Sequence, residues 1–247
     1  MTGRKKIVAR LSAGLGMAVL LTALAHAATG AQSSGGTAAA GVPTLDQVVN
    51  ELNAAAAKFQ SAQADFRWDQ LQAVVQEHDI QTGTVYYDRH GTTTWMAADV
   101  AQEGGQSAPK DVVYSGSQLQ LYQPGIKQLT NFRASPDQVE SYLGLGFGGS
   151  GNSLKANWDV TVMGRETIDG VPVVKLDLKP KTPAVQNTFT HVTIWIDTSR
   201  AIALKQVFVQ PSGDTSTNTY SNIRYNQHVD ESVFHLKLAP GTSIVNK

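Results

Sequence analysis

The chain has 247 residues, with 20 basic and 20 acidic side chains and no cysteine. Balanced charge excludes the basic stripe that a nucleic-acid partner requires. The missing cysteine excludes disulfides and the lipid-bearing cysteine of a bacterial lipoprotein, so stability must come from an ordinary core.

Arg4, Lys5, Lys6 and Arg10 precede an apolar run from Leu11 to Leu24, which ends in Ala25-His26-Ala27. Basic, apolar and small segments in that order are the layout of a secretory signal. The run is short for a membrane span, which takes ~20 apolar residues. A cleavable signal is therefore predicted over residues 1–27, with the cut after Ala27 and a soluble, exported product without a lipid anchor; the competing reading is an uncleaved N-terminal anchor. The remaining 220 residues carry 16 basic against 20 acidic groups, enough chain for one sizeable domain. Residues 28–42, ATGAQSSGGTAAAGV, read as a flexible tether, and residues 43–247 as a single domain.

Thr44, with Gln47 three residues on, makes a capping box after Pro43. Leu45, Val48, Val49, Leu52, Ala56 and Phe59 follow at helical spacing, which predicts an amphipathic helix that needs an apolar surface to lie on. Period two begins at Ala64. Phe66 and Trp68 share one face, while Leu71, Ala73 and Val75 have the opposite parity, which predicts a bulge near Asp69-Gln70. GTVYYDR alternates Val85, Tyr87 and Arg89 against Tyr86 and Asp88, and Trp95 lies on the return strand after His90-Gly91. Hairpin strands with Leu119 and Leu121, then Ile126 to Phe132, lead to a second predicted helix from Ser135-Pro136, which the glycine-rich stretch Gly144 to Gly151 ends.

After Asn157 the pattern is strand and turn, with a hairpin at Asp169-Gly170, alternation of Val192, Ile194 and Ile196 against Trp195, and a last strand at Phe234 to Leu238. About ten or eleven strands result, the spacing of a sandwich or barrel. A sheet this wide must curl, split or close, and a curled sheet with a helix on its concave side is a natural solution.

Signals for chemistry are weak. Gly144, Gly146 and Gly149 satisfy G-x-G-x-x-G but follow a helix, whereas a dinucleotide site needs a strand there. No H-E-x-x-H or G-x-S-x-G occurs, and His78, His90, His191, His228 and His235 have no helical partner of their own kind. The expectation is no metal, no cofactor and no enzyme. Arg89 shares a face with Val85 and Tyr87. It either snorkels at a turn or points inward, where five donors and no acceptor would seek backbone carbonyls of a lid.

GTVYYDRHGTTTW, then SGSQLQLYQPGIKQ, then the ending VFHLKLAPGTSIV, resemble in order and spacing the motifs of the periplasmic outer-membrane lipoprotein carrier family (LolA-like) across the whole mature domain. That resemblance implies an α+β protein, mainly β: a strongly curved, unclosed antiparallel β-barrel of about 10–11 strands over an apolar cavity, capped by helices. It implies a monomeric periplasmic carrier that performs no chemistry. Such a carrier takes the acyl chains of lipoproteins from an inner-membrane lipoprotein-releasing ABC transporter and hands them to an outer-membrane lipoprotein receptor. A sensing adaptor for lipids or lipoproteins on the same fold is the alternative.

Carried onto this chain, the resemblance makes Arg89 the latch of the lid and Trp95 a cavity residue. With the strand faces it places Phe66, Trp68, Val85, Tyr87, Trp95, Leu119, Leu121 and Trp195 in the lipid cavity, and Leu45, Val49 and Leu52 on the lid helix. His90 replaces the family's usual proline, Asp88 its common lysine, and Ser115 the aspartate of the hairpin turn.

Overall fold

The computed structural model describes residues 41–115, 118–132 and 145–247. The predicted signal, all but the last two residues of the tether, and the helix predicted from Ser135 lie outside the described residues.

Helix α1 (Leu45–Ala56) starts where the capping box places it. Thr44 Oγ1 accepts from Gln47 N at 3.2 Å, and Gln47 Oε1 accepts from Thr44 N at 2.9 Å, so two helix-end donors are satisfied reciprocally. Val48, Val49, Leu52, Ala55 and Ala56 are buried.

The strands are β1 (Ser61–Gln72), β2 (Glu77–His90), β3 (Thr93–Glu103), β4 (Gln106–Tyr114), β5 (Leu119–Gln123), β6 (Gln128–Phe132), β7 (Trp158–Ile168), β8 (Val171–Pro180), β9 (His191–Asp197), β10 (Ile202–Val209), β11 (Thr215–Tyr225) and β12 (Ser243–Asn246). They form one sheet in the order β12-β6-β5-β4-β3-β2-β1-β11-β10-β9-β8-β7, whose end strands do not pair with each other. Short helices α2 (Gly151–Asn157) and α3 (Pro183–Gln186) interrupt the strand succession.

Three expectations need correction. The described strands number twelve rather than ten or eleven, and β12 runs parallel to β6, whereas the other neighbours are antiparallel. Phe234 to Leu238 is not a strand: a 3-10 turn at Glu231–Phe234 brings it across the sheet. No bulge occurs at Asp69-Gln70, because β1 pairs with β2 without interruption from Ser61 to Gln72. The shift in β1 lies between Gln63 and Asp65, against β11, and Leu71 simply occupies the outer face.

Both faces of the sheet are partly covered. On the concave side, Val48, Leu52 and Ala55 of α1 join Leu154, Trp158, Val174, Leu176, Leu178, Val192 and Ile194 in one core. On the convex side, Phe234 packs with Ala97 and Val113, and Trp95, Val229 and Leu236 surround them. Helix α2 crosses α1 at contact distance because residue 151 is glycine: a Cβ there would overlap the Val49 carbonyl. Asp111 faces Asp99 across β3 and β4, and burial, then the Asp99 charge, raises its carboxyl above the usual range.

Two outcomes follow for stability. Gly151→Ala must push α2 off α1, and urea unfolding should show a loss of about 1–3 kcal/mol. For Asp111 the folded state holds the proton more tightly than the unfolded chain, so its ionisation destabilises the fold at neutral pH and the deficit vanishes as pH falls toward 3.8. Asp111→Asn should therefore raise the melting temperature at pH 7, and the gain should shrink as the buffer approaches that pH.

Candidate functional site

Strand register decides which side chains face α1. Tyr87 is opposite Ala62 on β1 and Met96 on β3, and Met96 is opposite Tyr114, which is opposite Leu119. Val85 connects in the same way through Ala98 and Val112 to Leu121. Residues directly opposite share a face, and alternate residues of a strand share it too. Six of the eight expected cavity residues (Phe66, Trp68, Val85, Tyr87, Leu119 and Leu121) thus stand on the concave face. Phe66 and Trp68 stack at 4.0 Å.

The other two do not. Trp95 is opposite Asp88, so it points to the convex side, where it stacks on His90 at 3.8 Å and meets the edge of Phe234 at 6.0 Å. Trp195 has the parity opposite to Ile194 and Ile196, which lie in the core beneath α1. Its ring has the ammonium of Lys175 at 4.9 Å and that of Lys205 at 4.7 Å, and Nε1 donates to Glu166 at 2.6 Å. Both tryptophans face away from α1 because one step along a strand reverses the face.

Of the residues expected on the lid helix, Val49 and Leu52 are buried and Leu45 is half-buried. Glu51 holds the same helix over the far side of the sheet: Thr198 Oγ1 donates to it at 2.5 Å, and Arg165 approaches at 3.7 Å. Asn226 fastens the chain just after the helix, accepting from Gln60 N at 2.8 Å and donating to Lys58 O at 2.8 Å.

Arg89 shares the concave face with Val85 and Tyr87. Its Nη1 donates to Ala56 O and its Nη2 to Gly148 O, each at 2.9 Å, and its guanidinium lies 5.5 Å from the Phe59 ring centroid. Ala56 is the last residue of α1, whose final turn contains no basic residue. Arg89 supplies from β2 the cation that a helix C-terminus favours.

The Gly148 bond reaches a segment whose glycine content reads as loop in the sequence. Leu145 and Phe147 are buried. Phe147 stacks on Tyr87 at 4.1 Å and meets Tyr220 edge-on at 5.0 Å. Ala203 N donates to Gly146 O at 2.8 Å, and Gly148 N to Ala201 O at 2.9 Å, so this segment pairs with the start of β10. Gly148 has φ +75°, and a Cβ there would overlap the Phe59 ring, so both conformation and contact require glycine. The available signal is the alternation Leu145-Gly146-Phe147-Gly148: apolar side chains every second residue, with nothing bulky between them.

Burial pushes the Tyr87 phenol well above the usual range and Tyr220 up to about 12. Both rings therefore stay neutral. Tyr220 donates to the buried Gln206 Oε1 at 3.1 Å. Beneath α1 the concave face is packed with Leu145, Trp158, Leu176 and Ile194, and beside it Phe147, Tyr87 and Tyr220 pack together. Beside Arg89 a cleft of about 540 Å³ opens between α1, the β2–β3 turn and the segment at Gly148.

No family model and no curated protein matches the chain by sequence. The fold is similar to that of an uncharacterized conserved protein from Thermus thermophilus, with 10% identity, 82% of this chain and 98% of that one covered, and a TM-score of 0.52. Looser similarities are to the Pseudomonas aeruginosa MucA/MucB complex (14% identity, 78% and 61% covered, TM-score 0.47) and to the LolA superfamily protein NE2245 from Nitrosomonas europaea (12% identity, 78% and 98% covered, TM-score 0.40). The unclosed sheet with α1 across its concave side is the helix-capped, unclosed architecture expected from the sequence.

Arg89→Leu removes the side chain that joins both covering elements, so amide exchange over residues 48–56 should quicken, read by mass spectrometry, while strands β8 and β9 stay protected. Arg89→Lys should not restore protection, because a single ammonium does not reproduce the planar fork that reaches both carbonyls.

Proposed function

We propose that this chain is an exported carrier whose concave face receives acyl chains of lipidated proteins. It would accept them from a lipoprotein-releasing ABC transporter in the inner membrane and deliver them to a receptor at the outer membrane. The observation that carries this reading is the placement of Arg89. One charged side chain on an apolar face bonds to a backbone carbonyl of each covering element, Ala56 in α1 and Gly148 in the segment containing Phe147. Backbone carbonyls can be released without leaving a buried counter-charge behind, so such a joint can open and reclose.

The energetics suit a carrier. Burying an acyl chain gains ~0.8 kcal/mol per methylene. Phe59 and Phe147 already pack with Phe66, Val85 and Tyr87 on the ground that a chain would take. A chain must displace them, so part of the gain is offset and the cargo can be surrendered. Catalysis plays no part in this reading.

The exported, mature protein should carry added lipid mass in native mass spectrometry. It should bind a fluorescent fatty-acid probe, and Leu121→Gln on the concave face should weaken that binding roughly tenfold, the equivalent of ~1.4 kcal/mol. Trp195→Phe on the opposite face should leave it unchanged. A protein that is always empty, or a probe sensitive to Trp195 and indifferent to Leu121, contradicts the reading.

A further inference from the structure

The cleft beside Arg89 has a chemistry that an acyl chain does not use. Its walls include Thr92, Thr94, Ser150, Ser153, Asn53 and Arg89, and no lining residue is acidic. Ser150 Oγ accepts from Ser153 N at 3.1 Å, and Asn53 Oδ1 accepts from Asn152 N at 3.0 Å. The Ser150 hydroxyl hydrogen and the Asn53 amide NH2 are left to donate. The hydroxyls of Thr92, Thr94 and Ser153 make no hydrogen bond to another described residue. Arg89 spends two of its five N–H groups on carbonyls, and three remain. Donors gathered around one cation, without a carboxylate, suit an anion that accepts many hydrogen bonds.

Opening the cap sharpens this requirement. The Ala56 and Gly148 carbonyls belong to the elements that must lift for a chain to enter, so they leave as the cargo arrives. Arg89 would then stand at the edge of an apolar face with its charge unmatched, which is costly. An acyl chain offers it nothing, whereas a phosphate binds a guanidinium through two parallel hydrogen bonds.

We infer that the cleft seats a phosphate ester carried on an acyl chain, and that Arg89 exchanges the Ala56 and Gly148 carbonyls for that phosphate as the cap opens. The inference rests on the proposal that acyl chains bind the concave face, and it extends the cargo to anionic phospholipids. The same phosphate chemistry could come from a soluble ester, so the test separates the two sources.

Calorimetric titrations of the mature chain with lysophosphatidylglycerol, with a monoacylglycerol of the same chain length, and with glycerol 3-phosphate make that test. Lysophosphatidylglycerol should bind about tenfold tighter than the monoacylglycerol, and glycerol 3-phosphate about a hundredfold more weakly than lysophosphatidylglycerol. Arg89→Gln should bring the two amphiphiles to parity, and Thr94→Val should reduce the preference while melting as the parent does. Equal affinities in the parent, or a preference that survives Arg89→Gln, overturn the headgroup seat and leave the acyl site standing. Glycerol 3-phosphate binding as tightly as lysophosphatidylglycerol makes the ligand a soluble ester and overturns the lipid source. Failure of both amphiphiles to bind overturns this inference together with the acyl site.

Discussion

A sheet that curls without closing leaves an apolar concave face, and something must cover it. In this chain the cover consists of α1 and the segment from Leu145 to Gly148, and the guanidinium of Arg89 bonds to both. The rest of the local architecture follows from that joint. Phe59 must sit under the guanidinium, residue 148 must be glycine to pass the Phe59 ring, and Phe147 is thereby directed onto Tyr87 and Tyr220. Glu51 on the far side, and Asn226 at the same end as Arg89, hold α1 and its following turn to the sheet with polar contacts near the surface. The cover is thus fastened by hydrogen bonds at its margins and by apolar packing in its middle.

Much of this arrangement is legible in the sequence because it rests on local rules. The capping box at Thr44 and Gln47 fixes where α1 begins, and the period-two runs fix which residues of β1 and β2 share a face. The parity of Arg89 with Val85 and Tyr87 allows the inward orientation that the structure shows. Sequence and structure part where local rules give no purchase. The resemblance and the expected strand faces place Trp95 and Trp195 in the cavity, yet the register sets them on the convex face. Each finds cover there that no local pattern announces: the C-terminal segment around Phe234 for Trp95, and lysines on the two neighbouring strands for Trp195. Glycine density hides the covering role of Phe147 in the same way, because its partners lie on β2 and β11, far away in the chain.

A packed interior is consistent with a binding role when the packing is supplied by detachable parts. Phe147 and Leu52 fill the concave side from elements that cross the sheet rather than from its strands. Displacing Phe147 uncovers Tyr87, with Phe66 and Val85 of the same cluster, beside the half-exposed Leu119 and Leu121. In the proposed role, the cost of that exposure would set how tightly an acyl chain is held, so the covering elements would determine both affinity and release.

The most direct measurement is a structure of the mature protein loaded with a single-chain amphiphile. The expected result is a chain lying along Phe66, Tyr87 and Leu121, with α1 and Phe147 displaced and Arg89 parted from the Ala56 and Gly148 carbonyls. A chain bound on the convex face near Trp95 or Trp195, with those two hydrogen bonds intact, would contradict it.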